Sequence, residues 1–257
     1  MPAIPALLEG RGALTLLRRA LPRGAARVLA CRTPDQLRAA LQRRLADAVV
    51  VSPRALSLPV LERLAADHPS VPVVALAPFR ADDGELLAAC AGQLRLPVLV
   101  EGVDDAALAE LLRRHGAAAE RRRLLADAPR LLPLRTPLQR DVWERVLARA
   151  HAPLTTRELA ESFGVSREHL SRQFALEAAP NLKRVIDLAR VATAAHLLQS
   201  PAYAPATVAQ LLGYASASHL GQSARRVAGV GVRQLGPLGP RGVLVAFTRG
   251  RRTRSRL

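Results

Sequence analysis

The chain has 257 residues, room for one large or two modest domains. Its 38 Lys+Arg against 21 Asp+Glu leave a net charge of +17, while 49% hydrophobic residues suffice for packed cores and exclude wholesale disorder. Aromatics at 3% exclude a base-stacking platform of several rings, and two distant cysteines, Cys31 and Cys90, exclude a disulfide scaffold or a CxxC metal knuckle.

No run of 18 apolar residues and no signal-peptide opening occurs, so the chain reads as a soluble, cytoplasmic protein without a membrane partner. Lys183 is the only lysine, which reflects coding bias in a GC-rich genome. The charge is divided unevenly. Residues 1–119 hold 15 basic and 12 acidic side chains, whereas residues 120–257 hold 23 and 9. A near-neutral half joined to a strongly basic half suggests two jobs, the second being attraction of a polyanion.

Residues 1–24 form an indistinct segment with a short helix over Ala13–Leu21, broken at Pro22–Gly24. Residues 25–115 alternate between two patterns. Apolar, β-branched runs at Arg27–Cys31, Ala48–Ser52, Val71–Ala77 and Pro97–Glu101 read as strands buried on both faces. Amphipathic stretches at Pro34–Arg43, Leu58–Ala66, Asp82–Ala91 and Asp104–Arg114 read as crossover helices. This βα alternation predicts an α/β domain, a parallel sheet with helices on both faces.

The segments at residues 46–79 and 95–114 resemble the receiver domain of bacterial response regulators, which implies a flavodoxin-type parallel sheet. The reactive residues of that family are missing. Ser52 stands at the aspartate nucleophile position, Ala77 at the hydroxyl position and Glu101 at the lysine position. No first strand is recognisable, and Glu9 is the only carboxylate before Asp35. The expectation is a pseudo-receiver with no phosphoacceptor, no metal and no cofactor. Such a module is suited to homodimerisation or partner docking.

Residues 116–136 read as a semi-rigid linker. An Ala/Glu/Arg helix-forming run, Ala117–Asp127, precedes Pro129, Pro133 and Pro137, and Arg121–Arg123 reads as a solvated charge run.

Residues 137–234 carry one unit twice. In "TTRELAESFGVSREHLSRQF", Thr155 and Glu158 have capping-box spacing, Gly164 supplies a left-handed turn and Ser166 caps a second helix. Leu170 and Phe174 lie four apart on that helix's buried face. In "PATVAQLLGYASASHLGQSARRVAG", Val208 and Ala209 match Leu159 and Ala160, and Gly213 matches Gly164. Leu220 plays the part of Leu170, through a turn one residue longer. Each is a helix-turn-helix pattern, and two copies are far less accidental than one.

These residues resemble the DNA-binding domain of the AraC family of bacterial transcription regulators. Arg190, Ala194, Leu197 and Leu198 fall on the signature of that family's joining helix, and Tyr214, Ser216 and Gly229 on its second unit. The resemblance implies an all-α domain with two helix-turn-helix units. A joining helix over Leu182–Leu198 would span roughly 25 Å at ~1.5 Å per residue, suited to two successive major-groove segments.

The first recognition helix, Arg167–Phe174, points Glu168, Ser171, Arg172 and Ala175 outward, with Arg167 placed for backbone contact. Arg172 can grip guanine O6 and N7, a contact worth ~1–3 kcal/mol of discrimination. His169 packs at the rim and is not a metal ligand. In the second helix Ala217, Ser218, His219, Gly221 and Gln222 take the outward positions, and Arg225 and Arg226 hold the backbone. Gln222 and Ala224 replace the family's usual arginine and core phenylalanine. Leu182 replaces a proline, and Pro205 is a further departure. These departures make the first unit the reader and the second mainly a holder.

Residues 235–257 place five arginines in the last nine positions, after Gly and Pro, and read as a flexible basic tail. No GxxxxGK[ST], GxSxG or HExxH motif occurs, so the chain reads as no enzyme and as needing no cofactor. The expected partner is double-stranded promoter or operator DNA, with homodimerisation through the N-terminal domain and RNA polymerase as candidate protein contacts. Two other readings stay open: an interaction scaffold whose DNA-binding half has decayed, and a non-specific nucleoid-associated protein.

Overall fold

The structure is a computed structural model that describes residues 2–21, 26–78, 80–175 and 179–254, with backbone only at residues 175 and 251–254. It divides into two compact units: Met1–Glu120 with Ser200–Ala202, and Arg121–Gln199 with Tyr203–Leu257.

The first unit is a five-stranded sheet with helices on both faces. In chain order it runs β1 (Ala3–Leu7), α1 (Arg11–Ala20), β2 (Arg27–Cys31), α2 (Pro34–Arg43), β3 (Val49–Val51), α3 (Leu58–Asp67), β4 (Val73–Ala77), α4 (Gly84–Gly92), β5 (Val98–Val100) and α5 (Asp105–His115). All strand pairs are parallel and the order is β2-β1-β3-β4-β5, the flavodoxin-type order. The side-chain period of two divides the core. Val49 and Val51 face Leu37, Leu41 and Leu61 of α2 and α3, whereas Val50 faces Leu17, Leu108 and Leu112 of α1 and α5.

Strand β1 is a correction: it lies within residues 1–24, where no strand is expected from the sequence. It pairs with both β2 and β3, and all five of its residues are buried. Pro5 hid it, because proline lacks the ladder N–H and argues against a central strand. The structure tolerates it at a gap. Pairing between β1 and β3 runs through Ala3–Ala46 and then Ala6–Val50 and Leu7–Val51, skipping Pro5. The helix expected over Ala13–Leu21 begins earlier, at Arg11, and the break at Pro22–Gly24 lies outside the described residues.

Residues 116–136 are not an open linker. Asp47 receives the start of α6 (Ala117–Leu124): its carbonyl accepts from the Ala117 amide at 2.7 Å and its carboxylate from the Ala118 amide at 2.7 Å. A short α7 (Ala128–Leu131) follows, and Leu125, Ala128 and Leu132 are fully buried. Arg121, expected in solvent with its neighbours, is buried, while Arg122 and Arg123 are exposed.

The second unit is all helical. It contains α8 (Pro137–Arg149), α9 (Thr156–Glu161), α10 (Arg167–Ala175), α11 (Leu182–Leu197), α12 (Pro205–Leu211), α13 (Ala217–Ala228) and α14 (Val232–Arg254). Thr136 and Gln139 close a capping box that starts α8. Helix α11 is the hub, packing against α8, α10, α12, α13 and α14, and twelve of its sixteen residues are buried. Such all-round burial is why its apolar residues show no single stripe.

Helix α14 corrects the expectation of a flexible tail. It kinks at Gly239 and runs on to Arg254, packed on α11 and α13. Leu235, Val243, Leu244 and Phe247 are at most 1% exposed, so the segment is part of the core. The Gly, Pro and Arg content that suggested a tail lies around this apolar strip. Residues 255–257 lie outside the described residues.

Candidate nucleic-acid interface

Each half of the second unit folds a short helix, a glycine turn and a capped second helix. In the first, Thr155 Oγ1 accepts from the Glu158 amide at 3.1 Å, and Glu158 Oε2 accepts from the Thr155 amide at 2.8 Å, which starts α9. Gly164 turns the chain at φ +65°, and the Val165 amide donates back to the Ala160 carbonyl at 3.2 Å. Ser166 Oγ then accepts from the His169 amide at 3.0 Å and starts α10.

The second half repeats these contacts. Pro205 occupies the first turn of α12, where its missing N–H costs nothing. Gly213 turns the chain at φ +65°, the Tyr214 amide donates to the Ala209 carbonyl at 2.8 Å, and Ser216 Oγ accepts from the His219 amide at 3.1 Å. Glycine and cap are two positions apart in the first unit and three in the second, so the extra turn residue falls where the sequence placed it.

Burial sorts the predicted contact residues. On α10, Leu170 and Phe174 are fully buried, and Arg167, Glu168, Ser171 and Arg172 are exposed. Arg167 and Glu168 approach to 3.9 Å. His169 is exposed rather than packed at the rim, and the side chain of Ala175 lies outside the described residues. On α13, Ser218, His219, Gln222, Arg225 and Arg226 are exposed, while Leu220 and Ala224 are fully buried. Gly221 is buried and not outward, and Ala217 is half-buried. Residue 221 lies three and seven positions before the buried Ala224 and Ala228, so helical periodicity puts it on their face.

Two of these side chains are already engaged. Arg226 reaches Asp187 of α11 at 3.2 Å, so its charge is partly spent inside the unit. The His219 ring packs edge-on against Tyr214, with centroids 5.4 Å apart. Tyr214 is in turn covered by the Arg190 guanidinium, 4.2 Å from its ring centroid, and the same guanidinium donates to the Leu212 carbonyl at 2.7 Å. Arg190, matched in the sequence only as a joining-helix landmark, thus clamps the second turn. At the start of α11, Leu182 is buried and Asn181 Oδ1 accepts from the Arg184 amide at 2.9 Å, so an Asn cap serves in the absence of the proline.

Residues 159–235 match the helix-turn-helix domain family, in its AraC-type form. That stretch is a DNA-binding domain. The match supports a DNA-binding transcription regulator. No curated protein matches the chain. Among solved structures, full-length FixJ from B. japonicum has 19% sequence identity to it, over 89% of this chain and 98% of FixJ, at a TM-score of 0.37.

In the first unit, the carboxyl edge of the sheet carries the positions matched to receiver chemistry. Ser52 follows β3, is 2% exposed and donates its amide to the Leu7 carbonyl at 2.8 Å. Ala77 is buried at the end of β4. Glu101 follows β5, and burial together with Asp105 and Glu9 pushes its carboxyl up against the opposing pull of Arg80. Glu9 lies 3.6 Å from Arg80, and Arg54 is paired with Asp83 and with Asp82. Among the described residues, no helix is long and apolar enough to cross a membrane.

Proposed function

We propose that the two helix-turn-helix units divide their labour on promoter or operator DNA. The first reads sequence. The observation that carries this is Arg172, exposed on a helix whose opposite face is fixed by Leu170 and Phe174. A guanidinium on such a rigid platform suits bidentate gripping of guanine, with Ser171 and Glu168 beside it and Arg167 toward the phosphates. The second unit mainly holds the backbone through Arg225, with Ser218, His219 and Gln222 exposed beside it on the same helix. Arg226 belongs to this set, with its pairing to Asp187 lowering its share. At 16 residues, α11 is ~24 Å long at ~1.5 Å per residue, a length suited to setting two recognition helices in successive groove segments.

Control operates without an aspartyl phosphate. Ser52 at the nucleophile position and Glu101 at the lysine position support that reading, and the α/β unit then acts through contact, by homodimerising or by docking a partner such as RNA polymerase. Selection of bound DNA from a random pool, followed by Arg172→Ala on the winning site, tests the division of labour. The expected result is an enriched motif whose discrimination falls by ~1–3 kcal/mol at one base pair in the variant. A pool that yields no motif refutes the reading.

A further inference from the structure

Between α2 and α3 the first unit opens a cleft of about 450 Å³, and every residue lining it belongs to that unit. Ligand sites are concavities of roughly 300–1,000 Å³, mostly apolar, with a few polar groups that fix orientation. This cleft has that composition. Leu37 of α2, Leu64 of α3 and Leu56 just before α3 form its floor, all at most 8% exposed. Val60 on its wall is 45% exposed, one of two large apolar side chains left in solvent among the described residues. The charged groups face one another across it. Strands β2 and β3 are both parallel to β1, and α2 and α3 pack on one face of the sheet, so the two helices run the same way. Arg38 stands near the middle of α2 and Arg63 near the middle of α3, both exposed and both lining the cleft. Arg38 is shared with the exposed Asp35. Arg63 has no carboxylate within ion-pair distance among the described residues. Asp67, one turn further along α3, is the only carboxylate in the lining, and burial pushes the imidazole of His68 down, so the lining is net positive.

We propose that the cleft between α2 and α3 binds a small organic carboxylate with an apolar body. The body lies on the leucine floor against Val60, and the carboxylate meets the guanidinium of Arg63, with Arg38 opposite. A guanidinium takes a carboxylate as a bidentate pair, which fixes orientation as well as adding affinity. The occupant follows from three features together: a volume that takes a small molecule whole, a floor that rewards apolar surface, and an arginine whose charge nothing in the unit answers. The inference goes beyond the DNA-binding reading and does not depend on it. It gives the α/β unit an input other than an aspartyl phosphate.

The test titrates the full chain by calorimetry with decanoate and phenylbutyrate, below their micelle concentrations, against decanol and decylamine. Decanoate should bind at least about 10-fold tighter than decanol, the margin that a hydrogen bond between charged groups supplies, and decylamine weakest of all. Shortening the aliphatic acid should weaken binding about 2- to 4-fold per methylene. Arg63→Gln should remove most of the margin over decanol, and Val60→Trp should fill the cleft and abolish binding. Both positions are exposed, so the melting temperatures of the two variants should match the parent. Equal binding of acid and alcohol overturns the carboxylate assignment, and full binding by Val60→Trp overturns the cleft. Binding that ignores chain length overturns the apolar body in favour of unspecific charge. A parent chain that sediments as a dimer, becomes a monomer on Val60→Trp and takes up neither acid overturns the ligand in favour of a second copy covering Val60. Absence of binding to both acids by a monomeric parent overturns the proposal outright.

Discussion

Replacing each turn glycine by alanine should distinguish two sites with the same backbone and different surroundings. Gly164 and Gly213 both sit at φ +65°. An L side chain held there costs about 1–2 kcal/mol. At Gly164 a new Cβ meets nothing within 4 Å, so that conformational cost is the whole effect. At Gly213 the Cβ would lie 2.8 Å from Pro153 Cδ and 3.1 Å from Pro153 Cγ. Carbon pairs prefer about 3.5–4.0 Å, and a proline ring cannot rotate away, so the backbone must shift. Such overpacking adds about 1–3 kcal/mol. Gly164→Ala should therefore lose about 1–2 kcal/mol and Gly213→Ala about 2–5 kcal/mol. Urea unfolding of the full chain reads the difference as midpoint shifts at constant m-value. Equal losses would refute the argument, because they would leave Pro153 no part in the second turn.

Phe247→Ala should cost about 3–5 kcal/mol in the same assay, since its ring is fully buried; a loss below about 1 kcal/mol would return residues 235–254 to the status of a tail. Gly221→Ala should stabilise by about 1 kcal/mol, because the position is helical and a Cβ there meets nothing within 4 Å; a lower melting temperature would contradict it. His196 is held neutral in the fold, its imidazole pushed down to about 3 by burial and by the charge of Arg121. The unfolded chain protonates it below about 6.5, so stability falls as pH drops from 6.5 toward 3. Between pH 7 and pH 5 this group costs about 2 kcal/mol, and His196→Gln should remove that part of the pH slope. His68 and His151, also pushed down by burial, keep their share in the variant.

The parts visible in the sequence are those where one residue type does one job. Valine-rich runs marked β3 to β5, and glycine with a following serine marked both turns and both caps. The parts that stayed hidden mix signals. Pro5 contradicts the strand that contains it, and only the gap in pairing to β3 reconciles the two. Val243, Leu244 and Phe247 form a helical stripe amid glycine, proline and arginine, and the punctuation outweighed the period. The interface divides in the same way. Exposure of Arg172 followed from its offset to Leu170. The engagement of Arg226 with Asp187 spans 39 positions, beyond any local pattern.

The dependence of α11 on α14 has a consequence during synthesis. Leu197 and Phe247 are 50 positions apart in the chain. At about 5–20 residues per second, a ribosome needs roughly 3–10 s to cover that interval. For that time the central rod of the DNA-binding half stands with one greasy flank wet, so the nascent regulator is vulnerable to clumping before it is able to find a promoter.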